Sequence, residues 1–429
     1  MKKDNIIILV LISILAFASC GEDRTHEYLE KTADNQWIYN TMKDVYLWKN
    51  DIKEPERSQY FTQASKFFSS LLNKNDKASF FTDTIALHDY GMSYSLMRDP
   101  IAEKPSQVYA LVLFVEPNSP AGIAGIERGT WISAANNKQL TTSSQKTLLQ
   151  GNAIKLATEY IDYDDELEKY FWEQSDTIEI SASTSYEICD IPFDSIYTVR
   201  DKKVGYMLCN NFDGENFTDK TNRIIEKFIT ENVTDVVIDL RYNTGGKISN
   251  ATSLASMLVP TESIGTPFCF LKDNAGNTSK TYNYSEQTFS VGDKKIYFII
   301  GDLTQGAAEL LVNSVNTSRS MYDVLVIGKK SAGINIIVEE FKSPSGFSIN
   351  PATAIAYTSK GEILSAEGIK PDYPVDELEQ KSKIYPLGSE QEYLLYNTFY
   401  IIENGITPED NTADASYMYN TPSRSNFIK

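Results

Sequence analysis

The apolar run Val236-Val237-Ile238 passes directly into Asp239-Leu240-Arg241-Tyr242-Asn243-Thr244-Gly245-Gly246, and this junction constrains the fold more than any other stretch of the chain. A short, unbroken apolar run reads as a strand covered on both faces. The glycine pair that closes the following segment, Gly245-Gly246, marks a turn whose backbone angles are closed to other residues. The pattern recurs downstream. Ile296 to Ile300 reads as a strand, Thr304-Gln305-Gly306-Ala307-Ala308-Glu309 follows, and a helix is predicted over Ala307 to Asn316 before a further strand, Val324 to Ile327. Upstream, Val204 to Leu208 is a strand, and Thr218 to Asn232 is an amphipathic helix with Ile224, Ile225, Phe228 and Ile229 on one face. Asn250 to Leu258 is a helix with Ser249 and Asn250 available as caps. Strands alternating with helices predict an α/β core, a largely parallel sheet covered by helices. Sites in such sheets lie at the C-terminal ends of strands, where both glycine-bearing turns fall.

Ahead of this core, Glu27 to about Phe81 is aromatic-rich and helical in pattern. Trp37, Ile38, Met42, Val45, Tyr46 and Leu47 recur at helix spacing, and Phe67, Phe68, Leu71 and Leu72 form a second face. Core packing is the ordinary cause of such stripes, so this is an N-terminal helical segment. Next, Tyr109 to Val115 is an apolar strand running into Pro117-Asn118-Ser119-Pro120-Ala121-Gly122. Ser119-Pro120 favours a short helix; Gly125 and Gly129 suit turns with positive φ.

The chain opens with Lys2 and Lys3, an apolar segment from Ile6 to Leu15, and then Ala16-Phe17-Ala18-Ser19-Cys20. That order is the pattern of a secretory signal, and the apolar run is too short to span a bilayer well. It resembles a bacterial lipobox, with Phe17 where leucine is more usual. The resemblance implies Cys20 as the lipidated first residue of an outer-membrane-anchored lipoprotein of the cell envelope, periplasmic or surface-exposed. Gly21-Glu22-Asp23 resembles the surface-export signals of some Gram-negative lipoproteins. The formal charge of −18 argues against nucleic acid and anionic membrane surfaces as partners. Cys189, Cys209 and Cys269 are odd in number and widely spaced, so no disulfide framework or zinc motif is expected, and each packs as a small hydrophobe. With only His26 and His88, a His-rich metal centre is not expected. The acidic run Asp162 to Glu168 lacks the glycine and ligand spacing of an EF-hand and reads as a solvated loop. Neither a metal nor a cofactor is expected.

The two glycine-bearing motifs together resemble the C-terminal processing (tail-specific) serine peptidases, whose members carry D-L-R-x-N-x-G-G and T-x-S-A-S-E. The resemblance extends over roughly residues 30 to 400, and Gly368-Ile369-Lys370-Pro371-Asp372 is similar to the family's closing G-x-x-P-D turn. The run S-P-A, A-G and R-G-x-x-I in Ser119 to Ile132 is similar to the PDZ modules of these peptidases, with Thr130 where aspartate is usual. The implied plan is a signal peptide at 1–19, the helical segment at 20–85, a β-rich PDZ-like domain at 86–195, the peptidase core at 196–400 and a polar tail at 401–429. A PDZ module implies peptide capture through the loop at Gly91, Met92 and Ser93. The family also implies a Ser/Lys dyad. By motif the nucleophile maps to Gly306 and the oxyanion-side residue to Ala307, with Gly245 and Gly246 lining the substrate groove. The lysine follows G-x-x-T-x-G; here Gly328-Lys329-Lys330-Ser331-Ala332-Gly333 is followed by Ile334. Glycine has no atom to attack a carbonyl, and isoleucine cannot accept a proton. Thr304, Ser331 and Lys330 are the nearest substitutes. Three readings stay open: a catalytically degenerate binder of peptides or protein C-termini, an active serine-type endopeptidase using relocated residues, and a structural component of an envelope complex.

Overall fold

A computed structural model describes residues 25–83, 89–183, 185–319, 323–379, 384–404 and 417–421. The N-terminal segment expected to be a signal peptide, Cys20, His88 and most of the polar tail lie outside the described residues. The chain forms two units, one from the residues up to 84 together with Glu340–Pro351, the other from Ile85–Glu339 and the residues from Ala352 onward.

In the first unit, α1 (Thr25–Val45) turns Ile38 and Met42 fully inward, and α2 (Ala64–Leu71) buries Phe67, Phe68 and Leu71. Asn35 on α1 donates Nδ2 to the carbonyls of Tyr60 and Thr62 at 2.9 and 2.7 Å, which fixes the intervening loop to the helix. Strand β1 (Phe80–Thr82) pairs with β17 (Ser348–Asn350), itself paired with β16 (Phe341–Lys342), all antiparallel. Phe347 stacks on Phe81 with centroids 5.0 Å apart.

The second unit contains three sheets. Strands β2 (Met92–Arg98), β3 (Val108–Val115), β4 (Trp131–Ala135), β5 (Lys138–Gln139), β6 (Ile154–Asp164) and β7 (Lys169–Ile180) are antiparallel, with β20 (Tyr417–Thr421) on the outer side of β2. Ser119 caps the short α3 (Pro120–Ile123), accepting the Gly122 amide at 3.2 Å; α4 (Gln145–Leu148) lies between β5 and β6. The central sheet runs β19-β14-β13-β10-β9-β8, from β8 (Phe193–Val199), β9 (Lys202–Leu208), β10 (Asp235–Asp239), β13 (Lys295–Ile300), β14 (Val324–Gly328) and β19 (Tyr373–Pro374). Its pairings are parallel except β8 with β9. On one face lie α5 (Phe217–Thr230), α6 (Ile248–Leu258) and α7 (Ala307–Ser318). On the other lie α8 (Tyr393–Asn404) and residues of the first sheet, among them Tyr109, Trp131 and Trp172. Val236, Val237 and Ile238 are fully buried between the two layers, each such side chain contributing about 1.5–3 kcal/mol.

The third sheet corrects the expectation of a largely parallel fold. Strands β11 (Pro267–Lys272), β12 (Thr278–Asn283), β15 (Ile336–Val338) and β18 (Ala352–Thr358) are ordered β12-β11-β18-β15 and are all antiparallel. The chain is thus mixed α/β, and among the described residues parallel pairing is confined to the motif-bearing sheet. The reason is local at Asp273, whose Oδ1 accepts the amides of Ala275 and Asn277, each at 2.9 Å. That tight turn joins β11 to β12, and so short a connection joins only antiparallel strands. Among the described residues no helix is long and apolar enough to cross a membrane.

A buried charge network ties the central sheet to its surroundings. Arg241, just beyond β10, meets Asp239 Oδ2 at 2.7 Å and both oxygens of Glu392 at 2.7 and 2.9 Å. Arg128, from the turn before β4, meets Glu377 at 2.8 Å, Glu392 at 3.1 Å and the Tyr242 hydroxyl at 2.7 Å. Burial alone raises the Glu392 pKa, but the charge and hydrogen bonds of Arg241, with Arg128 behind it, bring it down to about 2 from an ordinary 4.5. A carboxylate with a lower pKa folded than unfolded stabilises the fold above its unfolded value and loses that contribution as pH falls through its folded value. Acid titration followed by circular dichroism therefore shows stability falling between about pH 4.5 and 2, with Glu392 contributing on the order of 3 kcal/mol. Arg241→Ala leaves buried carboxylates unpaired and costs about 3–5 kcal/mol in denaturant melts at neutral pH.

Candidate functional site

The groove is built where β10, β13 and β14 end. Beyond β10 the chain folds back at once. Asn243 donates Nδ2 to the Cys209 carbonyl at 3.0 Å, and its Oδ1 accepts the Gly245 amide at 2.9 Å. Gly245 and Gly246 have φ of 98° and 116°. A Cβ on Gly245 would lie 3.3 Å from the Gln305 carbonyl, and one on Gly246 would lie 2.9 Å from Asp213 Oδ1 and from the Phe212 backbone. Both positions thus require glycine by conformation, and Gly246 also by space.

The second motif is laced to this turn. Gln305 donates its amide to the Asn243 carbonyl at 3.1 Å and its side chain to the Thr244 carbonyl at 3.2 Å. Thr304 is fully buried; its hydroxyl donates to the Leu240 carbonyl at 2.8 Å and accepts the Gly301 amide at 2.9 Å. Gly306 then opens α7 with φ 58° and ψ −114°. A Cβ there meets nothing within 4 Å, so a side chain has room, at a conformational cost of about 1–3 kcal/mol.

The third segment is held by Glu309, in the first turn of α7. Its Oε1 accepts the Ser331 hydroxyl at 2.5 Å and the Gly333 amide at 2.7 Å; its Oε2 accepts the Ile334 amide at 2.8 Å and the Gly306 amide at 3.1 Å. One carboxylate oxygen thus accepts the backbone amides of both Gly306 and Ile334. Burial raises the Glu309 pKa and these donors oppose the rise. Ser331 is buried, and its oxygen also accepts the Ile369 amide at 2.6 Å.

Gly245, Gly246, Gly306, Ala307 and Ile334 line one cavity of about 340 Å³. Thr304 and Ser331 are not among its lining residues, and Lys330 is exposed away from it. Sequence reasoning missed Lys247, Ser249, Lys280 and Tyr282, which also line it. Lys280 stands 4.5 Å from the Tyr282 ring centroid, and its pKa is raised, chiefly by a hydrogen bond to Tyr282. That is the opposite of what a general base needs. Nothing in the spacing of β12 flagged these residues, because a mostly exposed strand carries no apolar signal.

Gly91, Met92 and Ser93 lie elsewhere in the same unit. The Gly91 amide is donated to Asp89 Oδ1 at 2.7 Å, and its carbonyl accepts the Glu116 amide at 2.8 Å. Met92 and Ser93 are paired with Val115 and Phe114 on β3.

Comparisons with known proteins bear on the family and the fold. Residues 203–375 match the model of Peptidase family S41, and residues 33–89 match that of the Peptidase S41 N-terminal domain, together just over half of the chain. A Bacteroides fragilis NCTC 9343 protein assigned to the S41 proteases is 26% identical, with a TM-score of 0.71 over 87% of this chain and 98% of its own. A photosystem II D1 C-terminal processing protease shares the fold at 16% identity, with a TM-score of 0.52 over 82% of this chain and 95% of its own. By domain and fold the chain belongs to the S41 peptidase family.

Gly245→Val and Gly246→Val each lower the melting temperature in a thermal scan, the φ penalty alone being about 1–3 kcal/mol. Gly246→Val is the more damaging, because its side chain has no space. Glu309→Ala leaves buried amides without an acceptor and costs about 1–3 kcal/mol per orphaned donor, read in the same scan.

Proposed function

We propose that this protein is an exported lipoprotein of the S41 family that binds extended peptides or protein C-termini without cleaving them. One observation carries the reading: both positions of the implied dyad, Gly306 and Ile334, line the same groove and supply neither nucleophile nor base. The hydroxyls of Thr304 and Ser331 are each engaged on both sides by structural hydrogen bonds, which argues against either as a relocated nucleophile. The groove retains what peptide binding needs. Its walls mix the apolar Ile334, Ile336 and Leu271 with the charged Asp213, Lys280 and Glu339, and the edge strand β15 borders it. Main-chain hydrogen bonds to such an edge hold an extended chain, and the side-chain pockets select it. We further read the antiparallel sheet β2–β7 as the PDZ-like module, on the strength of its Ser119-Pro120 helix start and the turns at Gly125 and Gly129.

Gly306→Ser with Ile334→Lys restores both functional groups in a groove with room for the serine. The double variant hydrolyses a peptide with a hydrophobic C-terminus and reacts with a covalent serine probe, while the unmodified chain does neither. Turnover stays below that of an intact dyad, because the new lysine must also acquire a lowered pKa. Hydrolysis by the unmodified chain, abolished by Thr304→Ala, Ser331→Ala or Ser249→Ala, overturns the reading in favour of a relocated nucleophile.

The anchor rests on the pattern of residues 1–20. Mass spectrometry of membrane-extracted protein finds Cys20 as the first residue, carrying acyl chains, and Cys20→Ala releases the protein from the membrane fraction. An unmodified N-terminus contradicts it.

A further inference from the structure

One wall of the groove at Gly306 carries a positive charge that the chain itself does not pair. β12 is an edge strand of the third sheet, and Lys280 and Tyr282, two residues apart, lie on one face of it. Lys280 is opposite Leu271 in the pairing with β11, and all three residues line the cavity. A lysine on an edge strand usually stands in water and keeps other strands away. This one stands beside Leu271 on the wall of a cavity of about 340 Å³, whose lining also includes Ile334, Ile336 and Val338.

The ammonium group is also held in place. It lies 4.5 Å from the Tyr282 ring centroid and hydrogen-bonds that residue, a contact that raises its pKa and keeps it charged. Among the described residues it forms no ion pair. Glu339, just past β15 at the other edge of the sheet, acts on it through space and spends Oε1 on the Thr353 hydroxyl at 3.2 Å. A cation already fixed by a ring loses less freedom on pairing than a mobile surface lysine does. The cavity also excludes part of the water that weakens a surface ion pair. The other lysine of the lining, Lys247, is exposed next to Gly246. Net charge sharpens the point. At −18 the chain repels acidic peptides at long range, so a preference for a carboxylate arises only from a local cation.

We propose that the groove selects its extended peptide by one acidic side chain, which Lys280 receives against the Tyr282 ring. The inference rests on the peptide-binding reading above and adds what the site selects. Among segments of equal apolar content, one with glutamate or aspartate facing β12 is held, and one with lysine there is turned away. The group recognised is a side chain, so the segment need not be a chain end.

The test uses the full chain and short labelled peptides of valine, threonine and serine whose central residue is Glu, Gln or Lys. All are acetylated and amidated, so that no chain-end charge remains. At low salt the Glu peptide binds about fivefold more tightly than the Gln peptide, and the Lys peptide binds most weakly. Lys280→Gln removes that preference, and Lys280→Glu reverses it in favour of the Lys peptide, a gain that a misfolded variant cannot give. Lys247→Gln takes the same charge from beside the groove and leaves the preference in place. A Gln peptide left with a free C-terminal carboxylate binds like the amidated one; binding equal to that of the Glu peptide would assign the recognition to a chain end and overturn the inference. Equal binding of the three amidated peptides, a preference that survives Lys280→Gln, or one lost with Lys247→Gln would each overturn it and leave peptide binding standing. No binding of any peptide by the unmodified chain would sink the peptide-binding reading itself, and this inference with it.

Discussion

The Glu309 carboxylate is the contact on which the geometry of the groove depends. It sits at the start of α7 and accepts hydrogen bonds from Gly306, Ser331, Gly333 and Ile334. Buried acceptors are costly to leave unmet and rigid when fully met. With four donors converging on two oxygens, the segment that opens α7 and the segment after β14 are held in one arrangement. No catalytic residue is needed to keep them there. The arrangement of the groove thus rests on a carboxylate at neither Gly306 nor Ile334, the two positions to which the resemblance assigns a dyad.

The Arg241 network does the equivalent work one layer away. It joins the turn after β10 to Glu392 at the head of α8, and through Glu377 and Glu392 to Arg128 in the turn before β4. Buried ion pairs add little net stability compared with apolar packing, but breaking one partner is expensive. Such a network specifies which surfaces meet. In this chain it sets the motif turn against the β-rich part of the same unit, so that Gly245 and Gly246 present their backbone to the groove from a fixed base.

Much of this could be read from the chain before the structure. The strands at Val204, Val236, Ile296 and Val324 declared themselves as continuous apolar runs, because both faces of that sheet are covered. The paired glycines after β10 declared a backbone need that the observed φ values of 98° and 116° bear out. Other parts were silent for physical reasons. Strand β12 is mostly exposed and β15 is three residues long; β11 carries the apolar run Phe268 to Leu271 and β18 alternates buried and half-buried positions, but neither pattern tells whom a strand pairs with, and the sheet the four form made the fold mixed where a parallel one was expected. The return of Phe341–Asn350 to pair with Phe80–Thr82 is a long-range pairing that no local pattern encodes. Glu309 stood in a recognised motif, yet its role was hidden because three of its four donors lie 22 to 25 residues further along the chain. Lys280 and Tyr282 reached the groove from an exposed strand, where only the tertiary fold could place them.

The central claim is that the groove binds a peptide and leaves it whole. The most direct measurement incubates the purified chain, in excess over a labelled peptide with a hydrophobic C-terminus, long enough for many turnovers of a slow peptidase. Bound and free fractions are then separated and the peptide mass is read in each. The account predicts a bound fraction carrying peptide of unchanged mass, and loss of that fraction when Lys280 and Ile336 in the groove are replaced by glutamate. Peptide fragments in either fraction, with a yield that scales with protein concentration, would contradict it.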